Sequence, residues 1–247
     1  MVPVRAIILA AGSGSRLRPY TADRPKCLLE IDGRTLIEHQ IDSLAKCGVS
    51  DVVVVVGYCA DAVRRVIGDR VRYIESVRYR ETNSLYSLWE ARDELDRGAL
   101  VINSDVLAAP VLFERLCSAA APDAVLVDRD QTCDVEEMRV AIEGDLVVDF
   151  GKDLPPERSH GENVGMIKFG AGAAPRLRMC LERLVASGHE GAWSPLAFRE
   201  LAREWPLHVV ATDGLPWIEI DYPEDLERAR RDVAPAMLAR ELAGRLG

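Results

Sequence analysis

Hydrophobic residues along the first half of the chain follow two alternating patterns. Val4 to Ala10 and Asp51 to Val56 are apolar runs of strand length, the second almost entirely valine, as strands covered on both faces require. Between them, Thr35 and Glu38 have the spacing of a capping box, and Leu36, Ile37, Ile41 and Leu44 form one face of the helix it opens. The pattern predicts a short helix after Asp61, a strand over Val71 to Glu75, a helix from Ser84 to Leu95 and a strand over Ala99 to Asn103. Strand and helix in alternation imply right-handed crossovers and an α/β fold.

The second half is less regular. Val125 to Asp128, Met138 to Ile142 and Leu146 to Phe150 read as strands, the last two joined at Gly144-Asp145. Helices are predicted over Pro175 to Ser187 and Pro195 to Glu204, with strands at His208 to Ala211 and Trp217 to Ile220. Pro223 opens a helix whose first turn carries Glu224 and Asp225, and residues from Pro235 form a terminal helix. No repeat or linker interrupts the chain. The expectation is one domain over 1–247, with a first half of about 1–110, a second of about 111–233 and a terminal helix over 234–247.

Composition changes this picture little. With 247 residues, 48% of them hydrophobic, the chain can bury a sizeable core. Its net charge of −9 opposes a nucleic-acid surface, which needs a basic field, but leaves room for a local nucleotide pocket. The six cysteines and four histidines are scattered without zinc spacing, as reduced, mostly buried thiols of a cytoplasmic protein would be. The apolar stretch Ala6 to Ala11 is too short for a signal core, and no run suits a membrane helix. A soluble protein without a membrane or nucleic-acid partner is expected, and a homodimer remains open.

The chemistry starts where the first strand ends. Leu9, Ala10, Ala11, Gly12 and Gly14 form a small-residue loop at a strand's carboxyl edge, where open α/β sheets bind ligands. Backbone can approach a base or phosphate closely there. A dinucleotide fingerprint would need glycine at Leu17, and a P-loop would need Gly-Lys-Ser/Thr; neither occurs. Instead Arg16 lies inside the loop, and Pro25-Lys26 follows.

The stretch LAAGSGSRLRPYTADRPKCL, Leu9 to Leu28, resembles the signature of the sugar-phosphate nucleotidyltransferase family. That resemblance implies a Rossmann-like, mixed but mostly parallel sheet with helices on both faces, of the GT-A-like nucleotidyltransferase type. It further implies that the Ala10 to Gly12 backbone faces the base. Arg16 would hold the β- and γ-phosphates, and Lys26 would contact the α-phosphate and the acceptor. Fixed cations suit a departing pyrophosphate that gains charge. Arg18 reads equally as a surface arginine.

Asp105 ends the Asn103-Ser104-Asp105 strand terminus and matches the family's magnesium position; Asp221, after Trp217-Ile-Glu219-Ile, matches the second metal ligand. Mg²⁺ favours one or two carboxylates completed by phosphate oxygens and water. Asp221 reads alternatively as a helix cap, and Glu219 is a weaker ligand candidate.

The segment Asn83-Ser-Leu-Tyr-Ser87-Leu88 resembles the cytidylyltransferase branch, whose members act on phosphocholine, inositol-1-phosphate or 2-aminoethylphosphonate. The glutamine-proline segment usual in enzymes using dTTP or UTP is missing. Asn83 and Ser87 would help read cytosine, with helix capping by Asn83 or Ser84 as the alternative. Asp128, the Asp134 to Val140 stretch, Phe150 to Leu154 and Gly161 to Gly165 resemble the same branch, with Arg139 where a lysine is usual. The resemblance thus implies an acceptor site of Lys26, Asp128, Arg139, Lys152 and Glu162. Lys152 reads alternatively as a solvated turn lysine. Trp193 and Asp128 would suit a cationic acceptor, and Arg139 or Arg129 a second acidic group.

The implied reaction moves CMP from CTP to a small phosphonate, or to a phosphocholine-like acceptor, with Mg²⁺ as cofactor. Arg16, Lys26 and Lys152 are the catalytic candidates. Two readings compete: a sugar-1-phosphate nucleotidyltransferase using UTP, dTTP or GTP, and a nucleotide-sensing regulatory subunit. The second would be expected to lack the loop arginine or the metal aspartates, all of which are present.

Overall fold

The computed structural model describes residues 5–130 and 137–246. Cys133 and the Asp134 to Glu136 part of the resembling segment fall outside the described residues. The strands are β1 (Arg5–Ala10), β2 (Glu30–Ile31), β3 (Arg34–Thr35), β4 (Asp51–Val56), β5 (Arg72–Glu75), β6 (Ala99–Asn103) and β7 (Val106–Ala108). They continue with β8 (Ala124–Asp128), β9 (Arg139–Glu143), β10 (Leu146–Gly151), β11 (Gly161–Phe169), β12 (Leu207–Ala211) and β13 (Trp217–Glu219). The helices are α1 (Leu36–Lys46), α2 (Ala60–Ile67), α3 (Ser84–Glu90), α4 (Pro110–Ser118), α5 (Ala174–Ala186), α6 (Pro195–Ala202), α7 (Pro223–Arg228) and α8 (Ala234–Leu246).

Nine strands form one mixed sheet in the order β5-β4-β1-β6-β11-β8-β12-β10-β9. β5, β4, β1 and β6 are parallel, as the strand-helix alternation predicts. β11 then runs antiparallel to both β6 and β8, and of the remaining neighbours only β8 and β12 are parallel. Alternation along β1 divides the core. Ile8 and Ala10 pack with Ile37, Ile41 and Leu44 of α1, Val63 of α2 and Phe113 of α4. Ile7 and Leu9 face Leu85 and Leu88 of α3, Leu181 of α5 and Phe198 of α6. A smaller cluster joins Leu17, Leu29, Ile218 and Leu226 to Met237 of α8.

The capping box stands: the Thr35 hydroxyl accepts from the Glu38 amide at 3.4 Å, while the Glu38 carboxylate accepts from the Thr35 amide at 2.9 Å. The helix expected over Ser84 to Leu95 is shorter; α3 stops at Glu90 and a tight turn over Arg92–Leu95 follows. Neither β7 nor α4 is foreseen by the periodicity. The largest omission is β11, nine buried residues at the middle of the sheet.

Its polar residues hide β11 from a hydrophobicity reading. Lys168 is buried and donates to the Ala119 carbonyl at 2.7 Å. The Asn163 side-chain Oδ1 accepts from the Gly165 amide at 3.1 Å. At Gly165 the backbone has φ +82°, and a Cβ there would lie 2.8 Å from Asn103 Nδ2. Only glycine fits this close approach to Asn103 of β6, at the point where β11 shifts register against β8. Among the described residues, no helix is long and apolar enough to cross a membrane, and the five described cysteines are free thiols.

Candidate active site

A cavity of about 620 Å³ opens along the carboxyl edge of the parallel strands. Leu9 of β1 and Asn103 of β6 are register partners, so the glycine loop and the Ser104-Asp105 turn leave the sheet side by side. The Ser104 amide donates to the Leu9 carbonyl at 3.3 Å and fastens the two. Leu9 to Arg16 line one wall continuously. Gly14 takes φ +59°, and a Cβ there would meet Lys26 Cβ at 3.2 Å; its absence lets the loop sit over the Lys26 stem.

The ribbon of β7 and β13 unites carboxylates that are far apart in sequence. Val106 pairs with Glu219, and the Ile220 amide donates to the Asp105 carbonyl at 3.0 Å. Asp105, Glu219 and Asp221 thereby offer oxygens that all lie within 4.8 Å of one another. Lys26 Nζ lies 3.0 Å from Asp105 Oδ2 and 2.5 Å from Asp221 Oδ1, while Arg16 reaches Asp221 Oδ2 at 2.8 Å. Burial alone would depress the Lys26 ammonium, but Asp105 and Asp221 outweigh it and hold the group above the ordinary lysine value. Burial raises Asp221; Lys26 and then Arg16 overcome that and keep its carboxyl below the usual range. Glu219 is driven upward by burial first, then by repulsion from Asp105 and Asp221.

Two supports fix these groups. Gln40 of α1, a buried amide amid that helix's apolar face, donates to the Asn103 carbonyl at 2.9 Å and the Val106 carbonyl at 2.8 Å. It thus straddles the turn that carries Asp105. The Asp225 carboxylate accepts from the Asp221 amide at 3.0 Å and the Tyr222 amide at 2.9 Å, so Asp225 holds the start of α7 and the Asp221 side chain is left to the cations. Cys27 lines the floor, its thiol pushed up to about 12 by burial and therefore neutral at physiological pH.

The donor set fits a hard divalent cation. Three clustered carboxylates supply oxygen, and Asp105 Oδ1 is buried with no hydrogen-bond partner. Asp105 and Asp221 are the pair the sequence singles out; Glu219 completes the group.

Asn83 and Ser87 line the opposite wall. The Asn83 side chain also caps α3, accepting from the Ser84 amide at 2.8 Å, so capping and cavity lining coexist. Lys152 lines the cavity as well, its ammonium 4.9 Å from the ring centroid of Trp193. Asp128, Arg139 and Glu162, expected at the acceptor site, are instead buried within the strands and do not line the cavity. Asp128 accepts from the Trp217 indole at 2.5 Å, and Arg139 donates to the Leu154 carbonyl at 2.7 Å beneath the Lys152 turn. Glu162 is the ladder partner of Arg139. These positions lie within strands whose neighbours enclose them, which a count along the sequence does not reveal.

Tyr79, Thr82, Asn103, Met138 and Asn163 line the cavity without having been singled out. Tyr79 and Thr82 flank the Asn83 segment, and Asn103 ends an apolar strand at the edge Leu9 shares, so a signal existed for these. Met138 and Asn163 lie in the Asp134 to Val140 and Gly161 to Gly165 stretches that carry the family resemblance, although neither was named as a site residue.

Residues 6–204 match the MobA-like NTP transferase domain family, and the chain belongs to it. It is 39% identical over 133 residues to the CMP-5'-(3-aminopropyl)phosphonate synthase of Streptomyces rubellomurinus, covering 52% of this chain and 21% of that protein. Identity is 35% over 234 residues with the bifunctional IPC transferase and DIPP synthase of Rubrobacter xylanophilus, covering 90% of this chain and 50% of that protein. The chain therefore spans half or less of the length of these relatives. A solved CTP:phosphocholine cytidylyltransferase from Streptococcus pneumoniae superposes with a TM-score of 0.81 at 25% identity, over 93% of this chain and 98% of that one.

Proposed function

We propose that this member of the MobA-like NTP transferase family transfers CMP from CTP to a small phosphonate or phosphocholine-like acceptor and releases pyrophosphate. The observation that carries the reading is the convergence of Lys26 on Asp105 and Asp221 directly beneath the glycine loop. Support for CTP comes from the polar Asn83 and Ser87 on the facing wall, and from relatives named for CMP or CTP chemistry.

Asp105 and Asp221, with Glu219 beside them, would hold Mg²⁺, which supplies charge neutralisation at the phosphates when bound. The remaining work falls to the protein's own groups. The backbone of Ala10 to Gly12 takes the nucleoside, where small side chains permit close approach. Lys26 and Arg16 turn to the phosphates and stabilise the charge that grows on the leaving pyrophosphate. Lys152 draws in the acceptor's anionic group. An acceptor oxygen, already ionised, attacks the α-phosphorus in line; the new P–O bond forms as the α–β bridge breaks. No general base is required.

A pyrophosphate-release screen tests this: four NTPs against 2-aminoethylphosphonate, phosphonoformate, phosphocholine, inositol-1-phosphate and glucose-1-phosphate. Release with CTP and a phosphonate or phosphocholine is expected. Release confined to UTP, dTTP or GTP with glucose-1-phosphate would replace the proposal by the sugar-phosphate reading.

A further inference from the structure

Arg16, a loop residue, lies against the far strand end. One guanidinium nitrogen is 2.8 Å from Asp221 Oδ2, another donates to the Tyr222 hydroxyl at 3.3 Å, and Cζ lies 5.2 Å from the Tyr222 ring centroid. Tyr222 is 40% exposed, so its ring is held by the backbone of the α7 start, clamped by Asp225, and not by core packing. Both oxygens of Asp221 are thus engaged by cations, Lys26 on one and Arg16 on the other. Two cations, Lys26 and Arg16, face three clustered carboxylates, Asp105, Glu219 and Asp221, which makes this core a poor receptor for a bare polyanion.

We propose that Asp221 and Tyr222 park Arg16, and that Tyr222 is a positioning residue holding the guanidinium until metal and nucleotide arrive together. Asp221 cannot serve two cations and a divalent ion with equal strength. When it turns to ligation, Arg16 loses its anionic partner and swings to the triphosphate, leaving the Tyr222 ring. Metal and nucleotide then bind cooperatively, because each relieves a cost imposed on the other. The proposal rests on the CTP reading of the cavity and is independent of the acceptor.

Its signature is a gain of binding where a simple ligand role predicts none. In EDTA, titration calorimetry with CTP should show Tyr222→Ala binding about two- to five-fold tighter than wild type, the equivalent of the 0.5–1 kcal/mol of an exposed cation–π contact. Tyr222→Phe, which keeps the ring, should stay within about twofold of wild type, and Asp221→Asn should gain about tenfold or more. In an Arg16→Ala background, Tyr222→Ala should change nothing, which separates parking from a general effect on the fold; thermal midpoints check folding. Unchanged or weaker metal-free binding by Tyr222→Ala would overturn the proposal, as would the same gain without Arg16. It is also overturned if wild type binds MgCTP yet neither Tyr222→Ala nor Asp221→Asn binds CTP measurably in EDTA. Failure of wild type to bind CTP with or without Mg²⁺ removes the CTP reading and this inference together.

Discussion

The two ends of the cavity are built differently. At the carboxyl edge of the parallel strands, functional side chains follow strand ends: Arg16 in the loop after β1, Asp105 just after β6, and Asp221 just after β13 of the small antiparallel ribbon. They project over the sheet edge and meet. At the antiparallel end, Asp128, Arg139 and Glu162 lie within strands, buried and committed to neighbouring groups such as Trp217 and Leu154. Lys152, Met138, Asn163, Trp193 and Pro195 face the cavity from that side. A polar residue beyond a strand's carboxyl end is available to a ligand, whereas one enclosed in the sheet supports the wall behind it.

Substitutions can break or sharpen that contrast. The largest effect is expected from Lys26→Met at the parallel end, which removes the cation shared by both aspartates. Turnover should fall about 10²- to 10³-fold, the scale of losing one preorganised electrostatic contact, as measured by pyrophosphate release at saturating CTP and acceptor. Retention of more than a tenth of wild-type kcat would mean that Lys26 serves the fold alone.

Next is Gly12→Val. A Cβ at Gly12 meets nothing within 4 Å, so the empty fold should keep its stability to within about 0.5 kcal/mol. The added side chain fills space assigned to the nucleoside, and the KM for CTP should rise at least about tenfold, worth ~1.4 kcal/mol. A thermal midpoint that falls while the KM stays constant would place the nucleoside elsewhere.

At the antiparallel end the order of effects should reverse. Arg139→Met strips the buried donor from the Leu154 carbonyl and should cost about 1–3 kcal/mol of stability. The acceptor KM should rise only a few-fold, through the Lys152 turn, with the KM for CTP unchanged. A large acceptor effect without loss of stability would restore Arg139 to direct acceptor contact. The smallest change is expected from Trp193→Ala, which removes the ring under Lys152. The acceptor KM should shift by about two- to five-fold, in line with 0.5–1 kcal/mol for a half-exposed cation–π contact.

This contrast also explains what was legible in the sequence. Strand ends followed by Gly, Asp or Asn are marked by the abrupt stop of an apolar run, which placed Gly12, Asp105 and Asp221 at strand ends; the family resemblance then singled out the two aspartates. The parallel half was readable because β1, β4 and β6 are almost uniformly apolar. β11 was not, since Glu162, Asn163, Gly165 and Lys168 interrupt its pattern, and their satisfaction by Ala119 and by the bulge is a property of the folded sheet. For the same reason Asp128, Arg139 and Glu162, read in the sequence as acceptor-site residues, lie behind the cavity wall and not along it. Arg139 and Glu162 face one another across a ladder that no local spacing discloses. Gln40 carried a signal that was passed over: a polar residue within the apolar face of α1.

The central claim is that Asp105 and Asp221 form, with Lys26, the centre at which the nucleotidyl group is transferred. Its most direct test is Asp105→Ala, measured by CTP-dependent pyrophosphate release with the best acceptor from the screen and by thermal unfolding of the same preparation. The account predicts turnover at background with the folded state retained. A folded variant that keeps more than about a tenth of wild-type kcat, a barrier change of only ~1.4 kcal/mol, would contradict it.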